Sequence, residues 1–84
     1  MLQLKIVSPE KIEFDGEVES VKVPGSLGQF EILTDHAPII SLLTKGDVYY
    51  TAADGRHQIA ILGGFVEVQK NQVSLCVEVV EDEP

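Results

Sequence analysis

Apolar and polar residues alternate with a period of two along most of the chain. Leu2, Leu4 and Ile6 alternate with Gln3 and Lys5, and Ile12 and Phe14 flank Glu13. Near the other end, Val73, Leu75, Val77 and Val79 alternate with Ser74, Cys76 and Glu78. Successive side chains of a strand point to opposite faces, so this spacing predicts strands with one wet and one buried face. Between these runs, Val48, Tyr49, Tyr50 and Thr51 and residues 65–68 are rich in β-formers. Turn chemistry punctuates the runs at Ser8-Pro9, Asp15-Gly16, Pro24-Gly25, Lys45-Gly46, Asp54-Gly55 and Lys70-Asn71. Pro24 pre-sets φ for one central turn position, and Gly25 suits the positive φ that a type II turn demands at the next. Asp54-Gly55 and Lys70-Asn71 suit hairpin tips. The pattern predicts strands near 2–7, 11–15, 18–23, 28–33, 39–44, 47–52, 57–62, 64–69 and 72–80. Helix-period apolar stripes are absent. The fold class that follows is all-β, a flattened β-sandwich or barrel of short antiparallel strands. Residues 1–80 form that sandwich domain, and residues 81–84 read as an acidic tail.

Two departures from strict alternation carry information. In Val18-Glu19-Ser20-Val21 the apolar spacing jumps from two to three, which fits a β-bulge in the third strand. Gly63-Gly64 interrupts the apolar run from Ile59 to Val66, and a glycine pair there marks a sharp corner or the close approach of another backbone.

Length and charge then narrow the class of function. The 84 residues allow one small domain, with roughly 63% of the unfolded surface buried by area scaling. The lone Cys76 excludes an internal disulfide. A net charge of -8, from 14 acids against 6 Lys+Arg, repels phosphate backbones and anionic membrane surfaces. No apolar run approaches the ~20 residues that span a bilayer. The opening Met-Leu-Gln-Leu-Lys lacks the basic start and apolar stretch of a secretory signal. The expectation is a soluble, acidic, cytosolic domain.

Candidate chemistry is sparse. His36 and His57 have no Cys or second His at ligand spacing, so no metal site is expected. Cys76 has no basic neighbour in sequence to lower its pKa, which disfavours a nucleophile. Glu10, Glu13, Asp15, Glu17 and Glu19 crowd one segment, but their spacing does not match a calcium loop. Their alternation with Ile12, Phe14 and Val18 places them on a solvated face. The glycine-rich Pro24-Gly25-Ser26-Leu27-Gly28-Gln29-Phe30 lacks the Gly-Lys-Ser/Thr of a phosphate loop, and no nucleophile elbow is present. No catalytic residue, cofactor or metal is therefore assigned, and any chemistry lies in a partner.

Several motifs in order carry a family resemblance. Ile6-Val7-Ser8-Pro9-Glu10 comes first, followed by Val21-Lys22-Val23-Pro24-Gly25-Ser26-Leu27-Gly28-Gln29-Phe30-Glu31-Ile32-Leu33. His36-Ala37-Pro38, Gly63-Gly64-Phe65-Val66-Glu67-Val68 and the Asn71…Val73 hairpin follow. Together they cover nearly the whole chain, and the set resembles the N-terminal domain of the epsilon subunits of F-type ATP synthases. The resemblance implies a sandwich of roughly ten strands and a non-catalytic place in the central stalk. There the domain is wedged between the gamma subunit and the c-ring, and passes proton-driven rotation to the catalytic head for ATP synthesis. It implies a peripheral position at the cytoplasmic face of the bacterial membrane, touching the membrane only through the complex, with no nucleic-acid partner.

Carried over by motif, Ser26, Leu27, Gly28 and Gln29, with Glu31, would meet the c-ring, and His36, Ala37, Pro38, Ile39 and Ile40 would face gamma. The family often has an acid where Gln29 stands, so Glu31 would supply the charge. A gamma contact of standard size would also require an exposed apolar patch on one face. The family commonly continues into two regulatory helices. The sequence stops at Pro84, so neither inhibition nor ATP binding is carried over. An alternative class is a lipoyl- or biotinyl-type carrier domain, with Lys70 as a modified lysine at a hairpin tip. A carbohydrate-binding sandwich would have only Tyr49 and Tyr50 as platforms.

Overall fold

The computed structural model describes residues 1–80, so the expected acidic tail at 81–84 lies outside the described residues. Eight strands follow in order: β1 (Leu2–Val7), β2 (Ile12–Val18), β3 (Ser20–Gly25), β4 (Gly28–Ile32), β5 (Ile39–Leu43), β6 (Gly46–Ala52), β7 (Gly55–Gln69) and β8 (Gln72–Val79). There is no helix among the described residues. The strands are hydrogen-bonded in the order β2-β1-β8-β7-β5-β3-β4, with β6 joining β3 and β7. All pairs are antiparallel except β1 with β8, which is parallel. A parallel pair needs no short connection here because its two strands come from opposite ends of the described chain.

The sheet folds over on itself through β7. Residues 55–61 of β7 pair with β6, while residues 61–69 pair with β8 and residues 64–68 with β5. One layer is thus β2-β1-β8-β7-β5, and the other is β7-β6-β3-β4. Leu2, Leu4, Ile6, Val66, Val68, Val73 and Leu75 from the first layer meet Val21, Val23, Ile32, Val48 and Ile61 from the second. All of these are essentially fully buried. Burial of each contributes on the order of 1.5–3 kcal/mol, which is what holds the two layers together. The result is flat, 39 × 30 × 19 Å, as two sheets about 10 Å apart require.

The strands expected at 2–7, 28–33, 39–44, 47–52 and 72–80 are β1, β4, β5, β6 and β8, each within one residue at either end. In the other segments, tertiary packing revised the expected elements. The strands expected at 57–62 and 64–69 are one strand, because Gly63-Gly64 does not end it. The register with β8 slips between Ile61 and Gly63, so Leu62 is an extra, half-exposed residue. Before this bulge the odd positions Ile59 and Ile61 face inward, and after it the even positions Val66 and Val68 do. Gly64 has φ +148°, and a Cβ there would lie 2.2 Å from the Cys76 carbonyl oxygen. The pair is therefore a close approach of another backbone.

Asp15-Gly16 does not turn either. β2 runs straight through it, with the Phe14 ring lying over Gly16, 3.2 Å from where a Cβ would stand. The acids at 13–17 therefore decorate an edge strand, and charge on an edge discourages pairing with other chains. The spacing change at Val18–Val21 is not a bulge. It is a corner, at which Glu19 leaves β2 and donates its N–H to the Thr51 carbonyl (2.8 Å) as the chain passes into the second layer. The turn after Val23 falls two residues later than the proline suggested: Pro24 and Gly25 belong to β3, and Ser26-Leu27 forms the turn. Gly25 is required for space instead, since a Cβ would meet the Gly28 carbonyl at 2.7 Å and the Phe30 ring at 2.9 Å.

Gly64→Ala is expected to destabilise the fold by at least about 3 kcal/mol, because a backbone carbonyl cannot move aside cheaply. At Gly55, a positive-φ glycine of the β6–β7 hairpin, a Cβ meets nothing within 4 Å. Gly55→Ala should cost only about 1 kcal/mol of conformational strain. Thermal unfolding checks both: a drop of more than about 10 °C for the first and well under that for the second.

Candidate interaction surfaces

The residues assigned to the c-ring lie together in one hairpin. Ser26 and Leu27 form the tip between β3 and β4, which pair from Gly25↔Gly28 to Val21↔Ile32. Leu27 is fully exposed. Gly28 takes the φ of +132° that closes the turn. Along β4, Gln29 and Glu31 are exposed on one face while Phe30 and Ile32 turn inward. The hairpin is tied down from behind. Ser26 donates its N–H to the Leu42 carbonyl (2.9 Å), and the Thr44 N–H donates to the Pro24 carbonyl (2.9 Å).

The residues assigned to gamma lie at the opposite end of β5. His36, Ala37 and Pro38 form the loop between β4 and β5, and the His36 ring nitrogen Nδ1 lies 2.7 Å from the Ala37 carbonyl. Ile39 and Ile40 separate in role: Ile39 packs on the core, and Ile40 stands outward. β5 thus joins the two assigned sets, which do not merge into one site.

The outer face of the first layer carries residues that alternation did not single out. Leu42, Phe65, Cys76 and Val7 form one cross-strand row through β5, β7, β8 and β1, each the register partner of the next. Leu42 is 68% exposed and Phe65 43%. Beside the row, Pro9, Gly63, Gly64 and Val77 help to line an apolar groove of about 400 Å³. The next row along, Ile40, Glu67, Ser74 and Lys5, is polar apart from Ile40. The exposed apolar patch expected on one face is therefore present, with a polar margin. A signal for it existed in Ile39-Ile40-Ser41-Leu42-Leu43, an apolar run that reads as a strand covered on both faces. Ser8, nearly buried, shapes the groove's edge by donating its hydroxyl to Glu13 Oε2 (2.8 Å).

The other aromatic residues serve packing. The Tyr50 ring lies 4.5 Å from Phe14 and stacks on His57 at 5.1 Å, bridging β2, β6 and β7. Burial raises the Tyr50 pKa, and the Asp54 charge adds to the rise. Arg56 covers the Tyr49 ring at 4.8 Å, so neither tyrosine is an open platform. Lys70 does stand at a hairpin tip, with Asn71, and both take positive φ. Cys76 is an exposed free thiol. No cluster of three potential metal ligands occurs among the described residues, and no helix there is long and apolar enough to cross a membrane.

With this geometry in place, the comparisons with known proteins are informative. The family described as "ATP synthase, Delta/Epsilon chain, beta-sandwich domain" matches residues 1–83. The ATP synthase epsilon chain of Leptospira borgpetersenii is 42% identical over 77 residues, which are 92% of this chain and 61% of that one. The epsilon chain of Nitratidesulfovibrio vulgaris is 39% identical over 80 residues, 95% of this chain and 60% of that one. The chain therefore spans about 60% of the length of these curated relatives.

Two solved structures share the fold. A chain in the Euglena gracilis mitochondrial ATP synthase structure, comprising OSCP, F1 and c-ring, matches with TM-score 0.86 and 22% identity, covering 94% of this chain and 52% of that one. A chain in the central stalk and c-ring structure of the Tetrahymena thermophila mitochondrial ATP synthase matches with TM-score 0.78 and 17% identity, covering 96% and 66%. The chain belongs to the family of ATP synthase delta/epsilon chain β-sandwich domains. The carrier alternative rests on Lys70 alone, whereas the family match runs through almost every residue.

The tip of the β6–β7 hairpin yields a pH prediction. His57 Nε2 lies 2.8 Å from Asp54 Oδ1. The hydrogen bond to His57, reinforced by its charge, lowers the Asp54 pKa below its ordinary 3.8. A lowered carboxylate pKa contributes stability that is present above pH ~4 and lost as pH falls through the folded value. In His57→Ala, the Asp54 carboxyl resonance should titrate closer to 3.8. An unchanged titration in a carboxyl-detected NMR experiment would refute the pairing.

Proposed function

We propose that this chain is a non-catalytic subunit of the rotor stalk of a proton-translocating F-type ATP synthase, joining gamma to the c-ring. The observation that carries the reading is the apolar row Leu42, Phe65, Cys76 and Val7 across four strands of one layer, with Leu42, Phe65 and Cys76 exposed and Val7 half-buried. Exposed contiguous apolar surface with a polar margin is what a stable protein interface presents before its partner arrives. The relatives' name, ATP synthase epsilon chain, supports the reading. So do the central-stalk and c-ring assemblies in which the structural neighbours sit.

In this reading gamma docks on the row and on His36, Ala37, Pro38 and Ile40 beside it, with Ile39 anchoring that loop from within. The hairpin Ser26, Leu27, Gly28 and Gln29, with Glu31, meets the c-ring. Leu27 enters the contact as an apolar tip, and Glu31 and Gln29 offer a carboxylate and an amide to polar or basic ring loops. β5 connects both contacts, and its ends are hydrogen-bonded to the c-ring hairpin and buried in the core. A stiff, doubly anchored strand suits the transmission of torque, since a compliant link would dissipate displacement. No residue of the chain takes part in bond-making, and no cofactor is called for. The site of action is the cytoplasmic face of the bacterial membrane, reached through the complex.

Leu42→Glu combined with Phe65→Glu is expected to weaken gamma binding at least about 100-fold, as loss of a central apolar anchor does. Both side chains are exposed, so thermal unfolding should change little. A wild-type chain that fails to bind purified gamma would sink the reading. For the other contact, Gln29→Lys combined with Glu31→Lys should reduce coupled proton pumping in reconstituted vesicles, with a larger deficit at low salt. Wild-type coupling in that double variant would remove the electrostatic part of the c-ring assignment.

A further inference from the structure

We infer that Asp35 and Asn71 form a positioning clasp that sets the β4–β5 loop in its docking conformation, an inference that rests on the reading of that loop as part of the gamma surface. The two residues are far apart in sequence and meet through reciprocal bonds. The Asp35 N–H donates to Asn71 Oδ1 (2.6 Å), and Asn71 Nδ2 donates to Asp35 Oδ1 (3.1 Å). The Asn71 carbonyl also accepts the Gln3 N–H (2.8 Å). One residue thus ties the β7–β8 turn to the start of β1 and to the loop.

Backbone conformation converges on the same point. Among the described residues, the non-glycine residues with positive φ are Asp35 (66°), Lys70 (51°) and Asn71 (61°), all at this junction. Left-handed backbone is uncommon outside glycine and persists where surrounding contacts over-determine it. Lys70 and Asn71 occupy the two central positions of the β7–β8 hairpin, between the paired Gln69 and Gln72, where a two-residue turn calls for positive φ twice. Asp35 is the third residue of a turn closed by the His36 N–H donating to the Leu33 carbonyl (3.1 Å). Positive φ at that position is more often taken by glycine or asparagine, and the Asn71 bonds help to hold an aspartate there.

The loop needs an external hold. It crosses from β4 in one layer to β5 in the other. Among the described residues, the hydrogen bonds that link residues 34–38 to another element are those made to Asn71. Immediately past the loop, Pro38, Ile39 and Ile40 line a shallow groove of about 340 Å³ with Glu67, Val68 and Gln69, next to the apolar row. The clasp therefore acts on docking through the loop, fixing where His36, Ala37 and Pro38 present themselves beside the strand-held Ile40.

The test uses the whole chain with purified gamma and two readouts, backbone amide exchange at Asp35 and affinity for gamma. Asn71→Gly keeps the left-handed turn while deleting the side-chain bonds. It should speed Asp35 exchange and weaken gamma binding, each by about tenfold, the scale of two lost hydrogen bonds. Asn71→Asp at neutral pH sets two carboxylates against each other and should weaken binding further. Asp35→Asn together with Asn71→Asp exchanges donor and acceptor and should restore both readouts to within about twofold of wild type. A merely structural role for Asn71 would not be rescued by the exchange. Unchanged Asp35 exchange in Asn71→Gly overturns the clasp itself. Faster exchange with unchanged affinity overturns its role in docking and leaves the docking reading standing. A wild-type chain that does not bind gamma overturns the docking reading, and with it the role in docking, while the exchange data still decide whether the clasp holds the loop.

Discussion

The contact on which the rest of the structure depends is the close approach of β7 to β8 at Gly64. No side chain fits there, because a Cβ would collide with the Cys76 carbonyl and with Val77. The close approach, with the bulge at Leu62 just before it, lets a single 15-residue strand belong to both layers. Its first half pairs with β6 and its second half with β8 and β5. The core then closes between the layers without a linker, and β5 and β6 lie end to end along one edge of the shared strand. A small domain with one modest core gains from this economy, since few residues are left outside the sheet.

The same bulge decides which surface is available to partners. Without the bulge, the alternation of Ile59 and Ile61 would continue inward to Phe65 and turn Val66 and Val68 out. The one-residue slip reverses this, so Phe65 joins Leu42, Cys76 and Val7 on the outer face. A β-bulge that re-aims side chains beside a functional surface is a recurrent device. Here it creates an apolar row on the outer face, the surface proposed as the seat of gamma. On the other edge, the acids of β2 keep a long exposed strand from pairing with neighbouring molecules.

The two surfaces proposed for gamma and the c-ring are mechanically linked but chemically separate. Ser26 is bonded to β5 at Leu42, while the loop with His36 leads into β5 at Ile39. One strand, fixed by ladder bonds to β7, thus carries both contacts. This arrangement suits a coupling element, in which rigidity between two interfaces matters more than chemistry at either.

Much of the fold was legible in the sequence where one strand face is wet and the other buried. β1 and β8 were placed residue by residue, and the hairpin at Lys70-Asn71 followed from its turn chemistry. The motif order through Pro24-Gly25, His36-Ala37-Pro38 and Gly63-Gly64 identified the family, because those residues answer to backbone constraints that few sequences share. What only the tertiary structure decided was everything set by contacts distant along the chain. Gly16 reads as a turn until the Phe14 ring is seen to cover it. Pro24 reads as a turn until β3 is seen to extend to Gly25. The Asp35–Asn71 clasp had no local signal at all. A period of two specifies that faces alternate, but which face is inside depends on a phase that one bulge resets, and on a partner strand that the local sequence does not contain.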